Sequence, residues 1–122
     1  MMKNILIVED DFVVRQNMKD LLEWIGYKCA VAENGLGALE LIANAQYDLI
    51  ITDYKMPLLN GLQLINILKK SETTDTIPII LMIYSYESIR FDNGEDEKIN
   101  LLLTKPVNAK FLVDSIKSIF VN

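Results

Sequence analysis

With no histidine among 122 residues and one cysteine, Cys29, the chain lacks imidazole bases, imidazole metal ligands and any internal disulfide. Its polar chemistry must come from carboxylates, hydroxyls and lysines. Three places stand out by what precedes them. Asp53 ends the run Leu49-Ile-Ile-Thr-Asp53, just ahead of Met56-Pro57 and Gly61; Glu9-Asp10-Asp11 ends Ile5-Leu-Ile-Val8; Lys105, in Thr104-Lys105-Pro106, follows Leu101-Leu-Leu103. Carboxylates a few Å apart cannot all ionise cheaply unless a cation joins them. Oxygen donors without imidazole or thiolate favour a hard ion, Mg2+ or Mn2+, over zinc. An acidic cluster, a metal that takes phosphate oxygens and a mobile ammonium together suit phosphoryl transfer onto a carboxylate, where positioning and charge neutralisation do most of the catalysis. Taken singly, Asp53 is equally a turn-forming or capping acid after a strand, and Glu9-Asp10-Asp11 a solvated helix start favoured by the dipole. The conjunction with Lys105 is what points to a site.

The rest of the chain must bring these segments together. Leu49–Thr52 has no polar side to turn to water, so it reads as a strand buried on both faces; Ile5–Val8 reads as a buried strand, Ile79–Ile83 and Leu101–Thr104 as the fourth and fifth, and Lys28–Ala32 as a weaker one. Between them lie helical patterns: Val14, Met18, Leu21, Leu22 and Ile25, stopped by Gly26; Ala38, Leu39, Ile42 and Ala45 after the turn Asn34-Gly35; and Leu62, Ile65 and Leu68. Pro106 and Asn108 open a last helix with Leu112, Ile116, Ile119 and Phe120 on its buried face. Strands alternating with helices call for a parallel sheet covered on both sides, since right-handed crossovers put the helices on its faces. The expected fold is α/β, in three layers. Ligands gather at the carboxyl ends of such strands, which is where Glu9-Asp10-Asp11, Asp53, Ile83-Tyr84-Ser85 and Thr104-Lys105-Pro106 fall.

Composition excludes much else. A length of 122 residues at 51% hydrophobic and 24% charged fits one compact domain, residues 1–122, with a core that folds unaided. The net charge of -5 and the lack of a Lys/Arg run argue against direct nucleic-acid binding. No apolar stretch approaches the ~20 residues of a membrane span, and Met1-Met-Lys-Asn4 leads straight into a strand, so a cytoplasmic setting is expected. Cys29, in the apolar run Cys29-Ala-Val-Ala32, reads as core filling.

Ile5-Leu-Ile-Val-Glu-Asp-Asp11, Asp53-Tyr-Lys-Met-Pro57 with Gly61, and Thr104-Lys-Pro106 together resemble the motifs of two-component response-regulator receiver domains, chemotaxis-regulator-like, over nearly the whole chain. The resemblance implies a doubly wound, flavodoxin-like five-stranded parallel sheet in the order 2-1-3-4-5. It implies that Asp53 is the phosphoacceptor, that Glu9, Asp10, Asp53 and the backbone carbonyl of Lys55 hold Mg2+, and that Lys105 contacts the phosphoryl group. It also implies a cis Lys105–Pro106 bond. The donor would be a sensor histidine kinase, a phosphotransfer protein or a small phosphodonor. The chain would catalyse only its own phosphorylation and dephosphorylation, so it is not an enzyme in the ordinary sense. A homodimer through a face of fourth helix, fifth strand and fifth helix is also allowed.

Departures from the family pattern qualify this. Five residues on from Pro78, where relatives usually carry a hydroxyl that bonds the phosphoryl group, stands Ile83; three residues before Lys105, where they often carry an aromatic, stands Leu102. A compensating shift that brought Ser85 into the hydroxyl's place is the alternative. Arg90 to Lys98 is acidic where a small-residue helix end is usual, so the fourth helix is expected to be short, shifted or mobile. A phosphorylation-controlled signalling module is therefore the favoured reading. Its rival is a receiver-shaped interaction module whose output no longer depends on phosphate. A carboxylate-nucleophile phosphatase would want a second Asp two residues beyond Asp53, where this chain has Lys55.

Overall fold

A computed structural model describes residues 2–85 and 89–121; Met1, residues 86–88 and Asn122 lie outside the described residues. The elements run β1 (Asn4–Val8), α1 (Phe12–Trp24), β2 (Lys28–Ala32), α2 (Gly35–Asn44), β3 (Leu49–Asp53), α3 (Gly61–Lys69), β4 (Ile79–Ile83), a 3-10 helix (Glu95–Lys98), β5 (Leu101–Thr104) and α4 (Ala109–Val121). The strands form one parallel sheet in the order β2-β1-β3-β4-β5. Both the class and the strand order expected from the sequence are found.

The continuous apolar runs are buried as their composition requires. Every residue of β3 and β4 is buried, and two separate clusters cover the sheet's faces. On one face Ile5, Ile7, Leu49, Ile51, Ile80 and Met82 meet Met18 and Leu22 of α1 and Leu112 and Ile116 of α4. On the other, Leu6, Val8, Ile50, Leu81 and Ile83 meet Ala38 of α2 and Leu62, Ile65 and Leu68 of α3.

Local signals set the helix starts. Asp11 accepts the Val14 amide at 3.1 Å, Asn34 that of Gly37 at 2.8 Å, and Asn108 that of Phe111 at 2.9 Å. Asn60 and Gln63 form a reciprocal capping box, so orphan amides at each α-helix start are satisfied by a side chain. Gly26 ends α1 at a φ of +109°, which an L side chain adopts only with strain. Asn108, rather than Pro106, opens the last helix, its carbonyl accepting the Leu112 amide and its side chain that of Phe111; Lys105–Pro106 is cis, as the resemblance implied.

The connection between β4 and β5 departs most from the family expectation. Its described residues contain no α-helix, only the 3-10 helix, and residues 86–88 of the expected fourth helix lie outside the described residues. What holds the segment is explicit. Ile89, Phe91 and Ile99 pack into the α2/α3-side core. The Asn66 side-chain amide of α3 donates to Glu95 at 2.7 Å, Lys98 donates to the Asn66 oxygen at 3.1 Å, and the second Glu95 oxygen accepts the Asp92 amide at 2.6 Å. No helix among the described residues is long and apolar enough to cross a membrane.

Candidate functional site

Strand alternation brings the site residues together. Side chains two apart share a face, so the pairs Ile7 and Glu9, Ile51 and Asp53, Met82 and Tyr84, and Leu103 and Lys105 continue one face past the carboxyl end of β1, β3, β4 and β5. The first member of each pair sits in the α1/α4-side core. The register agrees: Val8 pairs with Thr52 and Ile83 with Thr104, and the backbone bonds of Glu9 to Ala32 at 3.0 Å and Lys105 to Ile83 at 2.7 Å carry the ladder one residue further. Glu9, Asp53, Tyr84 and Lys105 thus meet at one rim.

There the Lys105 ammonium donates to Glu9 Oε1 at 2.5 Å and to Asp53 Oδ2 at 3.0 Å. Glu9 is wholly buried and Asp53 nearly so, at 2% exposure. The second Asp53 oxygen, Oδ1, is buried and accepts no hydrogen bond from a described residue. Burial lifts the Glu9 carboxyl well above the ordinary range, and the neighbouring Asp10 and Asp53 carboxyls add to this; the Lys105 bond and the Asp11 amide oppose it. Burial would lower Lys105, but its bonds to Glu9 and Asp53 outweigh that and its pKa rises. These directions describe an acidic site that one lysine only partly neutralises.

The donor set fits a hard divalent ion. One oxygen from each of Glu9, Asp10 and Asp53 lies within 4.8 Å of the others, Asp10 is exposed at the mouth, and Asp53 Oδ1 is left over from the lysine bond. All the donors are oxygens, as Mg2+ prefers. The exposed Lys55 lines an opening of about 450 Å³ beside Asp53, with Tyr54, Met56, Asn60, Ile83 and Tyr84. Gly61 packs against the backbone of Asp53: a Cβ there would lie 2.5 Å from the Asp53 carbonyl oxygen, so only glycine lets α3 approach the end of β3 this closely.

Residues 5–117 match the model of the response regulator receiver domain. The chain belongs to this family. It is 34% identical over 117 residues to the phosphate regulon transcriptional regulatory protein PhoB of Pseudomonas aeruginosa, covering 96% of this chain and 51% of that one. The chain therefore spans about half the length of that relative, and likewise 52% of a probable transcriptional regulator of Pyropia yezoensis. Among solved structures, a putative response regulator from Chloroflexus aurantiacus superposes with a TM-score of 0.89 at 26% identity over the full length of both chains. The response regulator TrrA of Thermotoga maritima, solved in complex with Mg2+-BeF, superposes at 0.84 with 30% identity, over 97% of this chain and 99% of that one.

As a receiver domain the chain has its acids and lysine where the sequence motifs put them, and its departures are real positions in the fold. Ile83 is buried at 1% exposure and lines the opening beside Asp53, yet packs in the core on the α2/α3 side; Leu102, half-buried, packs against the same cluster. Ser85 is exposed, one position beyond the face that carries Asp53.

Two contacts were not foreseen from the sequence. The Arg15 guanidinium on α1 donates to the Glu9 carbonyl at 2.8 Å and fixes the acidic loop from below. Tyr84 sets its ring 5.1 Å from the Lys105 ammonium. The sequence placed Tyr84 at the carboxyl end of the fourth strand, and its even spacing from Met82 and Ile80 puts it on the face of Asp53 and Lys105.

Proposed function

We propose that this receiver domain is a phosphoacceptor of a two-component phosphorelay, taking a phosphoryl group onto Asp53 from the phosphohistidine of a sensor kinase or phosphotransfer protein. A cytoplasmic location goes with this reading. The observation that carries it is the Lys105 ammonium bonded to both Glu9 and Asp53 Oδ2, with Asp53 Oδ1 buried and unpaired beside the acidic cluster.

The chain's residues have separate tasks in the transfer. An Asp53 oxygen bonds to phosphorus as the donor's nitrogen–phosphorus bond breaks, and the bonding pair leaves with the imidazole. Lys105 stands 3.0 Å from that carboxylate, so its charge can follow the phosphoryl oxygens. The close approach of α3 at Gly61 to the backbone of Asp53 holds the nucleophile still. Glu9, Asp10, Asp53 and the Lys55 carbonyl would hold Mg2+, as the Mg2+ complex of TrrA supports; when bound, the ion neutralises charge on the transferring group. The chain acts only on its own Asp53, gaining and losing phosphate there.

The rival reading, an interaction module indifferent to phosphate, is favoured by Ile83 and Leu102, which supply neither a hydroxyl nor a ring to answer a phosphoryl group. Incubation with acetyl phosphate and Mg2+, followed by intact-mass analysis, decides between them. One added phosphoryl is expected, lost in Asp53→Asn and in chelator. Undiminished uptake in Asp53→Asn refutes the assignment of Asp53, and no uptake by the unaltered chain favours the rival.

A further inference from the structure

On the phosphoacceptor reading, we propose that Tyr84 is a positioning and access residue: its ring steadies the Lys105 ammonium and screens phosphorylated Asp53 from water, lengthening the life of the phosphorylated state. The geometry has three parts. Tyr84 follows β4 on the face that carries Asp53 and Lys105. Its ring centroid is 5.1 Å from Lys105 Nζ, within reach of a cation–π attraction. It also lines two cavities at once, the opening of about 450 Å³ that contains Asp53 and a groove of about 510 Å³ between α1 and the start of α4, walled by Val14, Met18, Leu21, Val107 and Leu112. Tyr84 is thus shared by the phosphoryl site and an apolar groove, and at 67% exposure its ring stands at the solvent side of Lys105.

Hydrolysis needs water at phosphorus. A water oxygen bonds to phosphorus as the bond from phosphorus to the Asp53 oxygen breaks; the bonding pair returns to the carboxylate, and both water protons leave with inorganic phosphate. A ring over the lysine and across the mouth narrows the water's approach and keeps Lys105 on the phosphoryl oxygens, without taking part in the bond changes. The contact uses the ring face, so the phenol hydroxyl is not required.

The test compares the unaltered chain with Tyr84→Phe and Tyr84→Ala. Each is loaded with acetyl phosphate and Mg2+, the donor is removed, and the decay of the phosphorylated mass is followed. Tyr84→Ala is expected to lose phosphate several-fold faster and Tyr84→Phe at the unaltered rate. Side-chain NMR gives an independent readout of positioning: the Lys105 ε-methylene protons should show the upfield displacement of a nearby ring in the unaltered chain and Tyr84→Phe, and lose it in Tyr84→Ala. Equal or slower decay in Tyr84→Ala overturns the proposal, as does Tyr84→Phe decaying as fast as Tyr84→Ala. Absence of uptake by the unaltered chain overturns this and the phosphoacceptor reading together, whereas uptake with unchanged lifetimes overturns this one alone.

Discussion

Gly61→Ala tests how the fold holds Asp53. Gly61 is the first residue of α3, and its amide bonds the Tyr54 carbonyl at 2.8 Å. An added Cβ would sit 2.5 Å from the Asp53 carbonyl oxygen, 2.8 Å from Leu81 Cδ1 and 3.0 Å from Tyr54 Cα. Contact becomes ordinary only at 3.4 Å, so the Asp53 oxygen is 0.9 Å too close. The leucine could turn, but the Asp53 carbonyl closes a buried strand and accepts the Thr52 hydroxyl at 3.0 Å. Overpacking of this kind costs ~1–3 kcal/mol, against which alanine recovers ~0.5–1 kcal/mol of helix propensity. A 0.9 Å overlap with backbone belongs in the upper half of that range, about 2–3 kcal/mol, which leaves a net loss of about 1–2.5 kcal/mol and a fall in thermal midpoint of roughly 3–15 °C. Because the backbone that yields carries Asp53, phosphoryl uptake should also slow, by ~10–100-fold if the carboxylate moves by about 1 Å. Gly37→Ala is the control: its Cβ would meet Asn34 Oδ1 at 3.5 Å and Ala32 at 3.8 Å, so propensity alone should raise stability by up to ~1 kcal/mol. Thermal melts of both variants and uptake rates from acetyl phosphate make the comparison. Gly61→Ala with unaltered midpoint and uptake would refute the reasoning; lowered stability with normal uptake would show that α3 yields instead of β3.

Ile83→Thr combined with Leu102→Tyr should enlarge the amide chemical-shift response of β5 to a phosphoryl mimic, because it returns a hydroxyl to the β4 position beside Asp53 and a ring to the strand next to it; a response no larger than the unaltered chain's counts against that coupling. Cys29 should be sluggish towards thiol reagents. Burial, helped by Glu23 and opposed by Lys19, pushes its thiol up to about 11, so at pH 8 alkylation of the folded chain should run ~100-fold slower than of the unfolded one. A raised thiol pKa means that the folded state keeps the proton longer, so this group's contribution to stability is lost as pH rises from about 9 through about 11. Equal alkylation rates in folded and urea-unfolded protein would refute the assignment.

The strands were legible because a parallel sheet buried on both faces must be made of unbroken apolar runs, and Ile5–Val8, Leu49–Thr52 and Ile79–Ile83 have no second interpretation of comparable length. The acids and lysine were legible for the same reason, each falling where such a run stops. The β4–β5 connection was only half legible. Arg90 to Lys98 is acidic where relatives have a small-residue helix end, which argued for a short, shifted or mobile fourth helix, but its closure by Asn66, Glu95 and Lys98 spans residues far apart in sequence, which no local pattern announces. Tyr84 was legible as a residue at the carboxyl edge, but its contact with Lys105 was not, because that depends on where β5 places the lysine.

The two sides of β4 separate chemistry from transmission. Ile80, Met82 and Tyr84 lie on the face with Asp53 and Lys105; Leu81 and Ile83 lie on the face with Leu102 and the β4–β5 connection. The sequence departures from the family pattern therefore fall on the second face, while the chemical groups on the first are intact and carry an added ring. A ligand shifts a conformational equilibrium only by its differential affinity for the two states. With Ile83 unable to hydrogen-bond a phosphoryl oxygen, a bond to a charged group worth about 1.5–3 kcal/mol is missing from whatever drives the α2/α3 side. On the proposed phosphoacceptor function, Lys105 would remain the group through which phosphate on Asp53 reaches β5, and a muted response beyond β4 is the expected outcome of the alternation along that one strand.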